Sequence, residues 1–178
     1  MRKLNQVILV DENDNVVGEA EKIAAHRNAQ LHRAFSIFIL RQHQGEVQCL
    51  LQKRHSDKYH CGGLWTNTCC SHPCPGEDIL SAANRRLAEE LGFTTTLTPV
   101  GSFIYKATFA NGLTEYEYDH VLMGYWEAQP TNNIAYNKNE ISEIEWVALE
   151  GLAKDIQINA DKYTPWLKPA LHVMQKSI

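Results

Sequence analysis

The feature that most limits how this chain can fold is a set of runs rich in β-branched and aromatic residues. Three stand out: FSIFIL (Phe35–Leu40), VQCLLQ (Val47–Gln52) and SFIYKATF (Ser102–Phe109). With LTEYEYDHVLMGYWE (Leu113–Glu127) and IEWVAL (Ile144–Leu149) they read as strands. Gly45 in RQHQGE predicts a hairpin turn between the first two, and Ala110–Gly112 predicts another. One helix is expected from about Glu77 to Leu91, with Leu80, Ala83, Leu87 and Leu91 on one stripe and Gly92 as the stop. A second is expected after Thr164, with Pro165 in its first turn. Strands with helices at intervals predict an α+β fold, with helices packed on a mixed sheet.

At 178 residues the chain is long enough for one domain with a real core. Its net charge of −4 gives no electrostatic reason to expect nucleic acid or an anionic membrane as partner. The start, MRKLNQVILVDEND, holds only the short apolar run Val7–Val10, too short for a signal peptide or a membrane span. A soluble, cytoplasmic protein is therefore expected. Five cysteines (Cys49, Cys61, Cys69, Cys70 and Cys74) cannot all pair with one another, and reduced thiols are the cytoplasmic default.

Several groups could carry chemistry. On a strand, Glu115, Glu117 and Asp119 share one face. They are either a solvated face, with Tyr116 and Tyr118 turned to the core, or carboxylates that bind one metal ion or divide acid–base work. His26 and His32 lie six residues apart. With His72, Glu115 and Glu117 they would offer three nitrogens and two carboxylates, a set suited to Zn or Mn in expanded coordination. On the predicted helix, Arg86 and Glu90 are four apart beside the apolar stripe, while Arg85 and Glu89 lie further round, toward solvent. The pair is either a surface ion pair, or Glu90 holds Mg²⁺ while Arg86 reaches a phosphate. Lys22, Arg54 and Lys58 are ordinary surface cations taken singly, and together could clamp a diphosphate.

The stretch Ser71-x5-Glu77-x7-Arg85-Arg86-Leu87-Ala88-Glu89-Glu90-Leu91-Gly92-Phe93 resembles the Nudix box, Gx5Ex7REUxEExGU. Ser71 replaces the leading Gly, and Arg86 replaces the Glu after the box Arg. Those departures, with WTNTCCSHP (Trp65–Pro73), LHRAFS and TPW, are similar to type 1 isopentenyl-diphosphate delta-isomerases, from about Lys22 to Trp166. The resemblance implies a Nudix-like mixed β-sheet sandwiched between helices, one catalytic domain over residues 1–178. It implies Cys70 and Glu117 as the catalytic acid–base pair, assisted by Tyr105. The cation-stabilising indole falls at Trp166, with Trp65 as its substitute. His26, His32, His72, Glu115 and Glu117 would hold a tightly bound divalent metal, Zn or Mn. Glu90 would contact Mg²⁺ arriving with the diphosphate, which Lys22, Arg54, Lys58, Ser71 and Arg86 would bind. Cys69 and Cys74 are left as packing residues.

The implied reaction protonates an alkene at one carbon and removes a proton from another, through a tertiary carbocation. It needs a dry site with two proton-transfer groups and a cation-tolerant wall. The expected partner is a small diphosphate, with neither nucleic acid nor membrane, and the expected state is a monomer or weak homo-oligomer. The nearest rival is a Nudix pyrophosphohydrolase, against which Arg86 speaks, because a cation there displaces a metal-binding carboxylate. A rival from another class is a metal- or thiol-sensing protein built on CCSHPC. Structural zinc usually draws on two paired-cysteine clusters, and only one is present.

Overall fold

The computed structural model describes residues 3–127 and 133–178. Its elements run β1 (Gln6–Val10), β2 (Val16–Glu21), α1 (Lys22–Arg27), β3 (His32–His43), β4 (Glu46–Arg54), β5 (Trp65–Thr66), β6 (Cys69–Ser71), α2 (Ile79–Leu91), β7 (Thr98–Thr108), β8 (Thr114–Tyr125), β9 (Ile141–Ala148), α3 (Leu152–Ile158) and α4 (Leu167–Gln175). All five expected strands form. No helix among the described residues is long and apolar enough to cross a membrane.

The sheet is mixed. β3 runs parallel to β8, placing His32 beside Glu117, and antiparallel to β4 and β6. β9 pairs with β4, and β7 pairs with β8. The β3–β4 hairpin turns on Gln44 and Gly45, both at positive φ (51° and 85°), as a two-residue turn between right-twisted strands requires. β3 is buried on both faces. Phe35, Ile37 and Ile39 pack with Ala83, Leu87 and Leu91 of α2, whereas Phe38 and Leu40 pack with Leu152 and Ile156 of α3 and Leu167, Leu171 and Met174 of α4. The sheet is thus held between helices, as expected.

Four local readings are corrected. Leu80 is 40% exposed, and the buried stripe of α2 runs through Ala82, Ala83, Leu87 and Leu91 instead. Arg85 does not face solvent: its Nε and Nη2 each donate to the Glu77 carboxylate at 2.8 Å, tying the helix to the turn before it. Pro165 stands ahead of Trp166, the α4 N-cap, and not in the first turn, which holds Pro169 as its third residue. Pro is tolerated there because the first N–H groups of a helix have no internal partner. Finally, the alternation of β8 has its faces reversed from the solvated reading. Glu115, Glu117 and Asp119 are buried, and Tyr116 and Tyr118 are only half-buried.

Six elements were not foreseen: β1, β2, α1, β5, β6 and α3. The β1–β2 hairpin turns where Asp11 Oδ1 accepts from the N–H groups of Asn13 and Asn15. Glu21 caps α1 by accepting from Ala24 N at 2.8 Å. α3 follows Gly151, at φ 87°.

The α2 stop gives a stability prediction. Gly92 sits at φ 73° with its N–H on Ala88 O, and a Cβ there would meet Ala135 O at 2.8 Å. Gly92→Ala should cost about 1–2 kcal/mol for the left-handed backbone alone, and more for the contact, read as a lower urea midpoint at unchanged slope.

Candidate active site

One pocket gathers most of the residues singled out in the sequence. Lys22, Arg54, Lys58, Cys70, Ser71, His72, Arg86, Glu90, Tyr105, Glu115, Glu117 and Trp166 all line it. His26 and His32 lie behind its wall, fully buried. Gln52, Tyr59, His60 and Glu140 line the same pocket and were missed. No motif surrounds them, and the fold alone brings them in.

The innermost part is a cluster of five donors. One side-chain ligand atom each from His26, His32, His72, Glu115 and Glu117 lies within 4.8 Å of all the others. Metal bonds of about 2.1 Å put neighbouring ligands roughly 3 Å apart and opposite ones roughly 4.2 Å apart, so a small contraction would close this set around one ion. The tautomers favour that. His26 Nδ1 donates to Lys22 O at 2.5 Å and His32 Nδ1 to Gln30 O at 2.8 Å. Each Nε2 is then a bare lone pair. His26 Nε2 faces Glu115 Oε1 at 3.1 Å and His32 Nε2 faces Glu117 Oε1 at 3.5 Å, and neither nitrogen makes a hydrogen bond. A lone pair against a carboxylate is repulsive unless a proton or a cation lies between them. The donor set therefore fits a divalent ion.

The electrostatics carry the same tension. Burial, then the neighbouring Glu117 charge, pushes Glu115 up to about 7. Burial followed by Glu117 also raises Asp119 well above the usual carboxylate range, with Ser36 Oγ donating to it at 2.8 Å. Burial works to raise Glu117 too, but its neighbours, first Glu115 and then the imidazoles of His32 and His72, outweigh it and hold it low. Burial lowers His72 and His60 to about 3, so both imidazoles are neutral, as His72 must be to ligate a metal, whereas His26 is raised, the Glu115 carboxylate outweighing its burial.

Above the cluster, Tyr105 Oη donates to Glu117 Oε2 at 2.7 Å while His72 Nε2 contacts Oε1 at 2.8 Å. The two thiols of β6 part by strand alternation. Cys69 enters the α2 core, and Cys70, opposite Ser36 of β3, turns to the pocket. Burial pushes the Cys70 thiol up to about 12, so it keeps its proton. Trp166 is buried and roofs the pocket. The Arg54 guanidinium lies 5.4 Å from its ring centre, with Tyr105 at 6.2 Å and His60 at 5.9 Å. Trp65, the substitute, packs instead in the α3–α4 core.

Cations line the pocket as well. Arg86 donates to Glu90 at 2.5 Å and to Glu89 at 2.7 Å, and Glu90 accepts from Gln52 at 2.9 Å. Glu90 is buried, so the surface-pair reading of this helix face does not hold. Lys58 pairs with Glu140, and Lys22 sits 5.4 Å from the Tyr59 ring centre. Burial lowers the pKa of Lys22.

The NUDIX domain family matches residues 30–167. Among curated proteins, the chain is 46% identical over 167 residues to isopentenyl-diphosphate Delta-isomerase 2 of Aromatoleum aromaticum, covering 94% of this chain and 85% of that one. It is likewise 46% identical to isopentenyl-diphosphate Delta-isomerase of Halorhodospira halophila, covering 93% and 92%. In three dimensions it is similar to a Deinococcus radiodurans protein solved at 1.9 Å (TM-score 0.74, 23% identity, 94% and 97% covered). It is also similar to a MutT protein of Methanosarcina mazei (TM-score 0.63, 19% identity, 83% and 94% covered). At those identities the structures speak to fold alone.

Relief of the buried charge predicts a stability effect. With free ion at a hundred times its Kd, binding adds about 2.7 kcal/mol. Chelation should therefore lower Tm by about 5–10 °C for a chain of this size. In His32→Ala the chelator-dependent difference should vanish; a wild type with the same Tm with and without chelator would refute the ion.

Proposed function

Because the chain belongs to the isopentenyl-diphosphate Delta-isomerases built on the NUDIX domain, we propose that it interconverts isopentenyl and dimethylallyl diphosphate. One observation carries the reading of the site: Cys70 and the Tyr105–Glu117–His72 chain line one pocket under a buried indole.

The diphosphate end is held by Lys22, Arg54, Lys58 and Arg86, with Ser71 at the floor. This binding is remote from the reacting carbons, so it supplies positioning. Mg²⁺ would enter with the substrate and meet Glu90. The five-donor cluster would hold Zn or Mn, whose charge would orient Glu117 and set its proton affinity. Cys70 and Glu117 then act on the alkene. One gives a proton to a terminal carbon, the other accepts one from the carbon on the far side of the cation, and the reverse reaction exchanges their roles. Tyr105, bonded to Glu117, keeps that carboxyl in register and shares its proton. The Trp166 face stabilises the tertiary cation by about 0.5–2 kcal/mol, more when dry, without a lone pair that would trap it.

The hydrolase reading shares the fold but lacks the machinery. Arg86 stands where a metal-binding carboxylate would be needed, and its guanidinium is bonded to both Glu89 and Glu90.

Incubating the protein with isopentenyl diphosphate and Mg²⁺ should yield dimethylallyl diphosphate. Release of phosphate or nucleoside monophosphate from nucleotides, with no isomer formed, would restore the hydrolase. Cys70→Ser should lower kcat by roughly 10²–10⁴ with metal content unchanged. Cys69→Ala should keep near-normal turnover, and an equally deep loss there would show that the other thiol does the work.

A further inference from the structure

We propose that His60, which belongs to no motif in the sequence, is a positioning residue that aims the Glu115 carboxylate at the metal cluster. His60 is not among the five clustered donors, yet its Nε2 sits against Glu115 Oε1, and both side chains are almost fully buried. Neither His60 ring nitrogen has a hydrogen-bond partner, so the ring is open to the Nε2–H form, the form that a carboxylate, which can only accept, admits at this contact. An N–H turned onto Oε1 would hold that oxygen, while Glu115 Oε2 is buried without a hydrogen-bond partner and is open to a cation.

The ring is held for this purpose from several sides. It stacks on Phe109 at 4.8 Å and 8°, and meets the Trp166 ring edge-on at 5.9 Å. The backbone beneath it is pinned as well. Asn111 Nδ2 donates to Tyr59 O at 2.6 Å and Arg54 Nη2 to His60 O at 3.3 Å. Phe109 and Asn111 belong to the β7–β8 turn, four residues from Glu115 at the nearer end. The loop carrying His60 is thus locked to the hairpin that carries the carboxylate it orients. The loop's own course requires left-handed backbone at Cys61 (φ 52°) and Gly63 (φ 78°). Gly62 lies so close to the Ser56 carbonyl that a Cβ would approach it to 2.4 Å. These constraints fix the ring before any ligand arrives, and pre-set geometry is what a metal cage needs from the groups around its ligands.

The inference rests on the five-donor cluster being a metal site, and Co²⁺ titration of chelator-stripped protein, followed by absorbance, separates the two claims. Wild type that takes up no Co²⁺ would refute the metal site itself. His60→Phe keeps the stack on Phe109 and removes the N–H; its Co²⁺ Kd should rise roughly tenfold to a hundredfold. His60→Gln returns an N–H donor at similar reach and should recover a Kd within about threefold of wild type. A tight-binding Phe variant, or a Gln variant as weak as Phe is expected to be, would overturn the role. Should the Phe variant not fold, the Gln comparison with wild type decides alone.

Discussion

The structure depends on how it neutralises the carboxylates that β8 turns inward. Glu115, Glu117 and Asp119 occupy one buried face of a single strand. Two like charges 4 Å apart repel by roughly 4 kcal/mol at an effective dielectric of 20, a large part of a domain's whole stability. Three responses are visible. Asp119 is driven toward its neutral form and bonded to Ser36. Glu115 is pushed toward neutral as well. Glu117 is held low, with Tyr105 Oη donating to one of its oxygens and His72 Nε2 in contact with the other. A divalent ion in the cluster would replace the Glu115 compromise with direct charge compensation.

The fold delivers those partners through pairing and alternation more than through local sequence. Parallel register between β3 and β8 sets His32 against Glu117, although eighty-five positions separate them in the chain. The short helix α1 carries His26 on the same turn as Lys22, so a residue of the five-donor cluster and a pocket-lining cation share one rigid element. β6 contributes three residues, and their alternation sends Cys69 into the α2 core and Cys70 to the pocket. Two adjacent cysteines thereby have separate fates: one is core packing, the other borders the cavity.

The legible parts of the sequence were those where a pattern has one physical meaning. The runs at Phe35–Leu40 and Val47–Gln52 are apolar along their length, and they became β3 and β4. The edge hairpin β1–β2 was not foreseen because β2, with both of its valines exposed, presents no apolar face to read. Alternation at Glu115–Asp119 was legible as two faces, but nothing in the alternation says which face is inside. Burying the carboxylates requires His26, His32 and His72 to be waiting there, which is a tertiary fact. The chemistry-bearing residues were found because a family pattern spans them. His60 and Glu140 were not, since a lone His after Lys-Tyr and a Glu before a strand carry no spacing signal.

The location of cationic charge is what separates two chemistries on one scaffold. On a Nudix helix rich in carboxylates, metal ions gather over the phosphates, where they neutralise the leaving group and prepare water for attack at phosphorus. Here Arg86 occupies one of those positions and draws Glu89 and Glu90 to itself, so α2 offers the pocket a guanidinium and a single buried carboxylate. The nitrogen-rich cluster, Glu117 included, is drawn instead from α1, β3, β8 and the residue after β6, with Tyr105 bonded to Glu117. On the proposed reading a cation held there would act on the Glu117 carboxyl, beside which the rings of Tyr105, His60 and Trp166 stand together. Water at phosphorus favours hydrolysis, whereas a dry carboxyl and a thiol beside an alkene favour moving a proton. On that reading the same fold would change reaction class by relocating positive charge from the helix to the sheet.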